Sequence, residues 1–307
     1  MFEVVFLGTS ASAPSVRRNL PSTVILHEDR RFMVDCGEGT QRQLLASGLG
    51  FKRLDTILLT HGHLDHILGL GGIMSTFARW EAAEELNIYA GHWALERIRD
   101  LVSVVLRGGE VNLQLNLIPL QPGMVSHTRK MQLIAFPVAH RGPGSFGFTF
   151  QEHNRRPFLV EAAERLGVPA GPERGRLVAG QSITLEDGTV VNPDDVLGPE
   201  VRGTKLCYVG DAARADSLVE HVWQADALIC EATYLSQDRE IARQFGHITA
   251  SEAGWLAREA QVGQLFLNHV SRRYHPRQIL DEARSVFPGA VLAEDLDKIR
   301  VRRREEK

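Results

Sequence analysis

Through the first sixty residues, short apolar runs alternate with polar or small-residue breaks, and none of the runs is long enough for a core-spanning helix. Residues 2–7, 22–26, 31–34 and 56–59 carry the Val, Ile and Phe enrichment of buried strands and are bounded by turn residues. Residues 40–47 have helical patterning, and the glycines at 37 and 39 permit the sharp change of direction before them. A meander followed by a helix that crosses to a further strand is an α/β beginning.

The same alternation continues. Residues 67–74 open an apolar, glycine-containing helix, 86–89 read as a strand and 93–106 as a helix. Strands are expected at 132–138, 146–151, 205–209, 227–230 and 264–267, with a helix over 250–260 capped by Thr249. Between residues 152 and 202 the texture changes. Glycine and proline crowd residues 167–177, a composition that resists continuous secondary structure, while the apolar residues at 158–160, Val178, 183–185 and 190–191 point to partial order. The expected organisation is a core over 1–151 and 203–307, interrupted by an inserted, protruding arm over 152–202.

Composition changes this picture little. Apolar residues at 43% and charged residues at 24% are ordinary for a globular protein, and 307 residues suffice for a large core. The formal charge of −3 means that any nucleic-acid contact has to come from local patches. Three cysteines without metal-type spacing fit a reduced, cytoplasmic protein, and no apolar run is long enough for a membrane span.

The chemistry concentrates just past strand ends. Residues 60–66, Thr-His-Gly-His-Leu-Asp-His, follow the strand at 56–59 and put His61, His63, Asp65 and His66 on one loop. Imidazole and carboxylate are ligands for zinc and similar divalent ions. His140, Asp211 and His269 occupy the corresponding positions after three other strands. Seven such groups suit two ions: His61, His63 and His140 for the first, Asp65, His66 and His269 for the second, and Asp211 bridging. That arrangement predicts metal-assisted hydrolysis.

The histidine motif resembles that of the metallo-β-lactamase fold, which implies an αββα four-layer sandwich with the metal site at one edge of its two sheets. Narrower features are the Pro-Ser-Val-Arg-Arg-Asn run ending at Asn19, the Gly-Pro loop at 167–172, Gly246-His247-Ile248-Thr249 and the late Asn268-His269. Together these resemble the short-form ribonuclease Z family over nearly the whole chain. The resemblance implies a zinc-dependent endoribonuclease that removes the 3′ trailer of precursor tRNA, leaving a 3′-hydroxyl on the tRNA and a 5′-phosphate on the trailer. It also implies a cytoplasmic homodimer with two zinc ions per chain, for which manganese or cobalt could substitute. Asp65 would serve as general acid/base and His247 as a proton-transfer group, with Glu231 a candidate partner.

The arm, by the same resemblance, grips the tRNA elbow through Gly167, Pro169, Gly171 and Pro172. With six arginines against nine acidic residues over 151–202, its charge contacts fall to Arg174 and Arg176. Two positions depart from the family pattern. Val16 replaces a lysine in the loop associated with the cleavage position, leaving Arg17 and Arg18 to supply charge, and Ala212 replaces a threonine after Asp211. Arg272 and Arg273 are candidates for acceptor-stem phosphates, Tyr234 or Tyr274 for stacking, and Arg300 and Arg302–304 for a solvated tail. The alternative reading keeps the fold but makes the substrate a small ester or phosphodiester; a metal-free RNA-binding scaffold would have to lack some of the seven ligands.

Overall fold

The computed structural model describes residues 1–80, 84–106 and 113–304. The chain forms two compact units, residues 1–151 with 204–307, and residues 152–203. In the first unit β1 (Phe2–Gly8), β2 (Ser22–His27) and β3 (Arg30–Val34) pair antiparallel. After α1 (Thr40–Ala46), β4 (Thr56–Leu58) pairs parallel with β3. The short α2 (Leu64–Ile67) and α3 (Leu70–Trp80) lead to β5 (Glu85–Ala90), and α4 (His92–Val105) leads to β6 (Gln114–Pro119), both strands again parallel. A second sheet opens with β7 (Gly123–His127), β8 (Met131–Val138) and β9 (Ser145–Glu152), all antiparallel.

The smaller unit is built from α5 (Val160–Arg165), α6 (Pro172–Val178), the hairpin of β10 (Ile183–Thr184) and β11 (Val190–Val191), and α7 (Pro193–Val196). It has a core of its own, in which Ala163, Val168, Leu177, Ile183, Val191 and Val196 are buried. Two expectations are corrected here. The Gly-Pro stretch does carry regular structure, because Pro172 sits in the first turn of α6, where its missing N–H costs nothing; and Val178 ends that helix instead of lying in a strand.

The larger unit resumes with β12 (Lys205–Val209), α8 (Val219–Val222), β13 (Ala227–Glu231), α9 (Arg239–Phe245), α10 (Ala250–Glu259) and β14 (Gln264–Asn268). It ends with α11 (Pro276–Val286), β15 (Ala290–Leu292) and β16 (Lys298–Val301). Strands β12 to β15 are parallel, whereas β16 returns to the first sheet antiparallel to β1. Arg300 is therefore a strand residue, its Nε 2.7 Å from a carboxylate oxygen of Glu3, and not part of a solvated tail. Thr249 caps α10 as expected, its hydroxyl accepting from the Glu252 amide.

Among the described residues each sheet holds seven strands, in the orders β16-β1-β2-β3-β4-β5-β6 and β15-β14-β13-β12-β9-β8-β7. Alternation along β1 explains their stacking. Val4 and Phe6 point to the core between the sheets, where they join Phe32, Phe148, Phe150 and Ile229; Val5 and Leu7 point the other way, to residues of α1, α3 and α4. Burial on both faces is why these strands read as continuous apolar runs. The Phe32 and Phe150 rings cross edge-on at 5.5 Å, and each fully buried phenylalanine contributes about 1.5–3 kcal/mol. Val222, Leu228, Leu256, Leu265 and Ile279 pack the second sheet against α8, α10 and α11, which completes helix, sheet, sheet, helix.

Candidate metal centre

β8 and β9 are sheet neighbours joined by the short connection 139–144, which makes them antiparallel, and β9 is antiparallel to β12, so β8 and the parallel strands of the second sheet point the same way. Their carboxyl ends and that of β4 carry His140, Asp211, His269 and the loop 61–66. Gly69 permits the closest approach beneath the site. A β-carbon there would stand 2.0 Å from the Gly37 carbonyl oxygen, and the amides of Gly69 and Cys36 bond the Cys36 and His66 carbonyls across this contact.

The side chains form two adjoining groups. His61 Nε2 and His63 Nδ1 are 2.8 Å apart, His140 Nε2 is 3.2 Å from His63 Nδ1, and Asp211 Oδ2 is 3.5 Å from His61 Nε2 and 3.6 Å from His140 Nε2. On the other side, His66 Nε2 and His269 Nε2 lie 3.7 and 3.6 Å from Asp65 Oδ2. Asp211 faces both groups, with Oδ2 3.5 Å from His66 Nε2 and Oδ1 3.3 Å from His269 Nε2. Within each of the sets His61/His63/His140/Asp211 and Asp65/His66/His269, the donor atoms lie within 4.8 Å of one another.

Second partners fix which nitrogen of each ring faces inward. His140 Nδ1 donates to the Gly246 carbonyl at 2.7 Å, and His66 Nδ1 to Asp35 at 2.8 Å. His61 Nδ1 lies 3.0 Å from the Thr60 hydroxyl, which also donates to Asp35. His269 Nδ1 lies 2.9 Å from the Thr233 hydroxyl, which bonds Glu231. His66 Nε2, His269 Nε2 and Asp211 Oδ1 are buried and have no hydrogen-bond partner. Orphaned polar atoms of this kind, converging on one point, fit a cation.

The protonation preferences agree for His61, His63, His140 and the two carboxylates, and differ at His66. Burial, then the neighbouring imidazoles, hold His61 well below its usual range, and burial brings His63 down to about 4 and lowers His140. These three rings keep the lone pairs that a metal needs. Burial opposes ionisation of Asp211 and Asp65, but the surrounding histidines outweigh it and keep both carboxylates below their ordinary values. For His66 burial is likewise outweighed, here by Asp211, Asp35 and Asp65, and it holds its proton well above the usual range.

His247 stands beside this cluster in a different role. Its Nδ1 is 3.0 Å from Glu231 Oε2 and 3.9 Å from Asp211 Oδ2, so Glu231 takes that nitrogen, although Asp211, His247 and His269 also lie close enough to form a third donor group. Burial lowers its basicity, but Glu231 and Asp211 prevail and push it up to about 9. Glu231 is fully buried and also accepts from the Ala212 amide at 2.6 Å. Because that bond comes from the main chain, it needs no threonine at position 212. Ser12, Asp65, Arg141, Tyr234, Phe245 and His247 line a pocket of about 240 Å³ that opens off the cluster.

Sequence reasoning overlooked three supports. Asp35, fully buried, accepts from the Thr60 amide at 2.8 Å as well as from Thr60 Oγ1 and His66. Its signal was the one that marked Asp211, an acidic residue just past a buried strand. Thr233 ties His269 to Glu231. The Ser12 amide donates to Asp65 Oδ2 at 3.0 Å. Ser12, Asp35 and His269 all adopt left-handed backbone angles, strain of the kind that concentrates at functional sites.

The sequence candidates outside the centre fare differently. Arg18 is taken up by structure: its Nη1 donates to Thr9 Oγ1 at 2.6 Å and to the Ala293 carbonyl at 2.7 Å, whereas Arg17 is exposed, beside a fully exposed Val16. Within the smaller unit Arg174 donates to the Val168 and Pro169 carbonyls and lies 5.7 Å over the Phe158 ring, bracing the loop that holds Gly167, Pro169 and Gly171, whereas Arg176 is exposed. The Tyr274 hydroxyl bonds Asp238, and its ring meets Tyr234 edge-on at 6.4 Å.

Comparison with known proteins agrees with this geometry. Residues 17–123 match the metallo-beta-lactamase superfamily family model. Ribonuclease Z of Bradyrhizobium sp. (strain ORS 278) is 46% identical over 98% of this chain and 100% of its own length, and that of Archaeoglobus fulgidus is 37% identical over 98% of each. The crystal structure of the human short-form tRNase Z superposes with a TM-score of 0.67 at 25% identity, covering 98% of this chain and 99% of its own. With end-to-end identity at this level and the histidine, aspartate and glutamate side chains assembled at the carboxyl ends of strands from both sheets, the chain belongs to the ribonuclease Z family.

Proposed function

We propose that the protein is a zinc-dependent endoribonuclease that removes the 3′ trailer of precursor tRNA, leaving a 3′-hydroxyl on the tRNA and a 5′-phosphate on the trailer. The observation that carries the reading is full-length similarity to ribonuclease Z enzymes, joined to a His/Asp cluster with three orphaned donor atoms. His61, His63 and His140 would hold one divalent ion, Asp65, His66 and His269 a second, and Asp211 would touch both. Bound there, the pair supplies Lewis acidity toward water and phosphate oxygens. Imidazole and carboxylate donors favour zinc, with manganese or cobalt as substitutes.

Asp65 would orient the attacking water. One of its oxygens, held by the Ser12 amide, faces the second ligand group. His247, anchored through Nδ1 to Glu231, presents its other nitrogen as the proton donor to the departing 3′ oxygen. Proton transfer of this kind contributes roughly 10²–10⁴-fold.

The unit Glu152–Gly203 takes the role of the tRNA-gripping arm, with the backbone amides of the Gly167–Gly171 loop and the Arg176 side chain as its contacts and Arg174 as their brace. A protein of this family is expected to act as a cytoplasmic homodimer.

Mapping the cleavage of precursor tRNAs, with and without an encoded CCA end, by the zinc-loaded protein tests the reading, with Asp65→Ala as the inactive control. A cut confined to the 3′ side of the acceptor stem and lost in Asp65→Ala is expected. Hydrolysis of bis(p-nitrophenyl) phosphate without any tRNA cleavage would instead make the protein a small-diester hydrolase. Gln151 and Lys205 are paired across β9 and β12, so the arm can be excised and closed with a short turn; tRNA cleavage should then collapse while small-diester hydrolysis persists.

A further inference from the structure

The pocket beside the metal centre is not uniformly polar. Phe245 and Tyr234 add aromatic surface to a lining otherwise supplied by Ser12, His63, Asp65, Arg141, Asp211 and His247. An isolated exposed phenylalanine is ordinary, but this ring, 42% exposed, faces the reacting centre. We infer that Phe245, with Tyr234 of the same pocket, is a stacking shelf for the base of the nucleotide on the 5′ side of the scissile phosphate, the nucleotide retained on the tRNA.

The shelf is held in place from three directions. Phe245 is the last residue of α9, and Gly246, at φ 75, turns the chain back so that the His247 amide bonds the Ala242 carbonyl at 2.9 Å. The Gly246 carbonyl is fixed by His140 Nδ1, which ties the turn to the ligand set itself. Arg141 lies 5.7 Å from the ring centroid and lines the same pocket, where its charge can meet a phosphate. Tyr234 stands 5.9 Å from the His247 ring and is backed by Tyr274.

The side of the cut follows from the chemistry and rests on the tRNA-processing reading. Hydrolysis that leaves a 3′-hydroxyl expels O3′ of the retained nucleotide, and in-line displacement puts that oxygen opposite the attacking water. The water is on the Asp65 side and the proton for O3′ comes from His247, so the retained nucleoside lies on the wall of His247, Tyr234 and Phe245. Every base has a π face, so such a shelf accepts any base at that position. A small ester would leave the ring unused.

The test uses the zinc-loaded full chain and precursor tRNAs carrying one abasic nucleotide, either just 5′ or just 3′ of the cut. Phe245→Ala is expected to raise KM for the intact precursor roughly tenfold, and Phe245→Tyr to restore it. The 5′ abasic substrate should impose at least that loss on the unaltered enzyme, and the two losses should be less than additive in Phe245→Ala, whereas the 3′ abasic loss should add in full. An unaltered KM in Phe245→Ala, losses that add at the 5′ position, or coupling to the trailer base would each overturn the inference. Failure of the unaltered enzyme to cut any precursor while it still hydrolyses the small diester would overturn the underlying reading, and with it the inference.

Discussion

Asp35→Asn removes one charge and almost no volume from the floor of the metal centre. The carboxylate is fully buried and receives the Thr60 amide at 2.8 Å, the Thr60 hydroxyl at 2.9 Å and His66 Nδ1 at 2.8 Å. An asparagine can still accept with its single oxygen, but its amide nitrogen then meets a donor, either His66 Nδ1 or the Thr60 hydroxyl. One buried donor is left unmatched at a cost of about 1–3 kcal/mol. His66 also loses one of the three carboxylates that raise its proton affinity and orient its ring. Loss of such an outer partner typically costs about 10–100-fold in metal affinity, or roughly 1.4–2.7 kcal/mol. The assay is a zinc titration of apo protein against a competing chelator, beside a thermal melt of the same apo protein. We expect the second zinc equivalent to bind 10–100-fold more weakly. If the melt drops but both zinc affinities stay within a factor of about three, Asp35 supports only the fold and the reasoning about His66 is wrong.

Asp295→Ala leaves the Thr9 hydroxyl, the Asn19 amide and Gln43 Nε2 without their shared acceptor, so thermal unfolding should reveal a loss of at least about 1–3 kcal/mol. Because the loop so freed carries Ser12 to Asp65, cleavage-site mapping should also show cuts spread over neighbouring nucleotides. Arg174→Ala should raise KM for precursor tRNA without changing the salt slope of binding, because its side chain is spent on Val168 and Pro169; Arg176→Ala should reduce that slope by about one phosphate contact. Chelation should abolish hydrolysis while circular dichroism retains both sheets, whose cores are apolar and complete without an ion. Restoring zinc to about 100 times its Kd should raise stability by about 2.7 kcal/mol per site.

The sequence alone determined the strands of both sheets that carry ligands, because residues buried on two faces must be apolar and that pattern is local. It also located seven candidate metal ligands, since a reactive side chain just past a buried strand stands out against its neighbours. Elements with half-exposed faces escaped it, among them β6, β7 and β16 and the amphipathic α11, whose polar positions match the loops around them. Helix α6 escaped for another reason, its proline and glycine falling where a helix tolerates them. Only the tertiary structure decided what each polar group is paired with. It spent Arg18 and Arg174 on internal carbonyls, gave His66 to Asp35 and His247 to Glu231, and brought Asp295 to the first loop across 276 positions of sequence. Hydrophobic burial is written residue by residue along the chain, whereas a hydrogen-bond partner is fixed by where two distant strand ends meet.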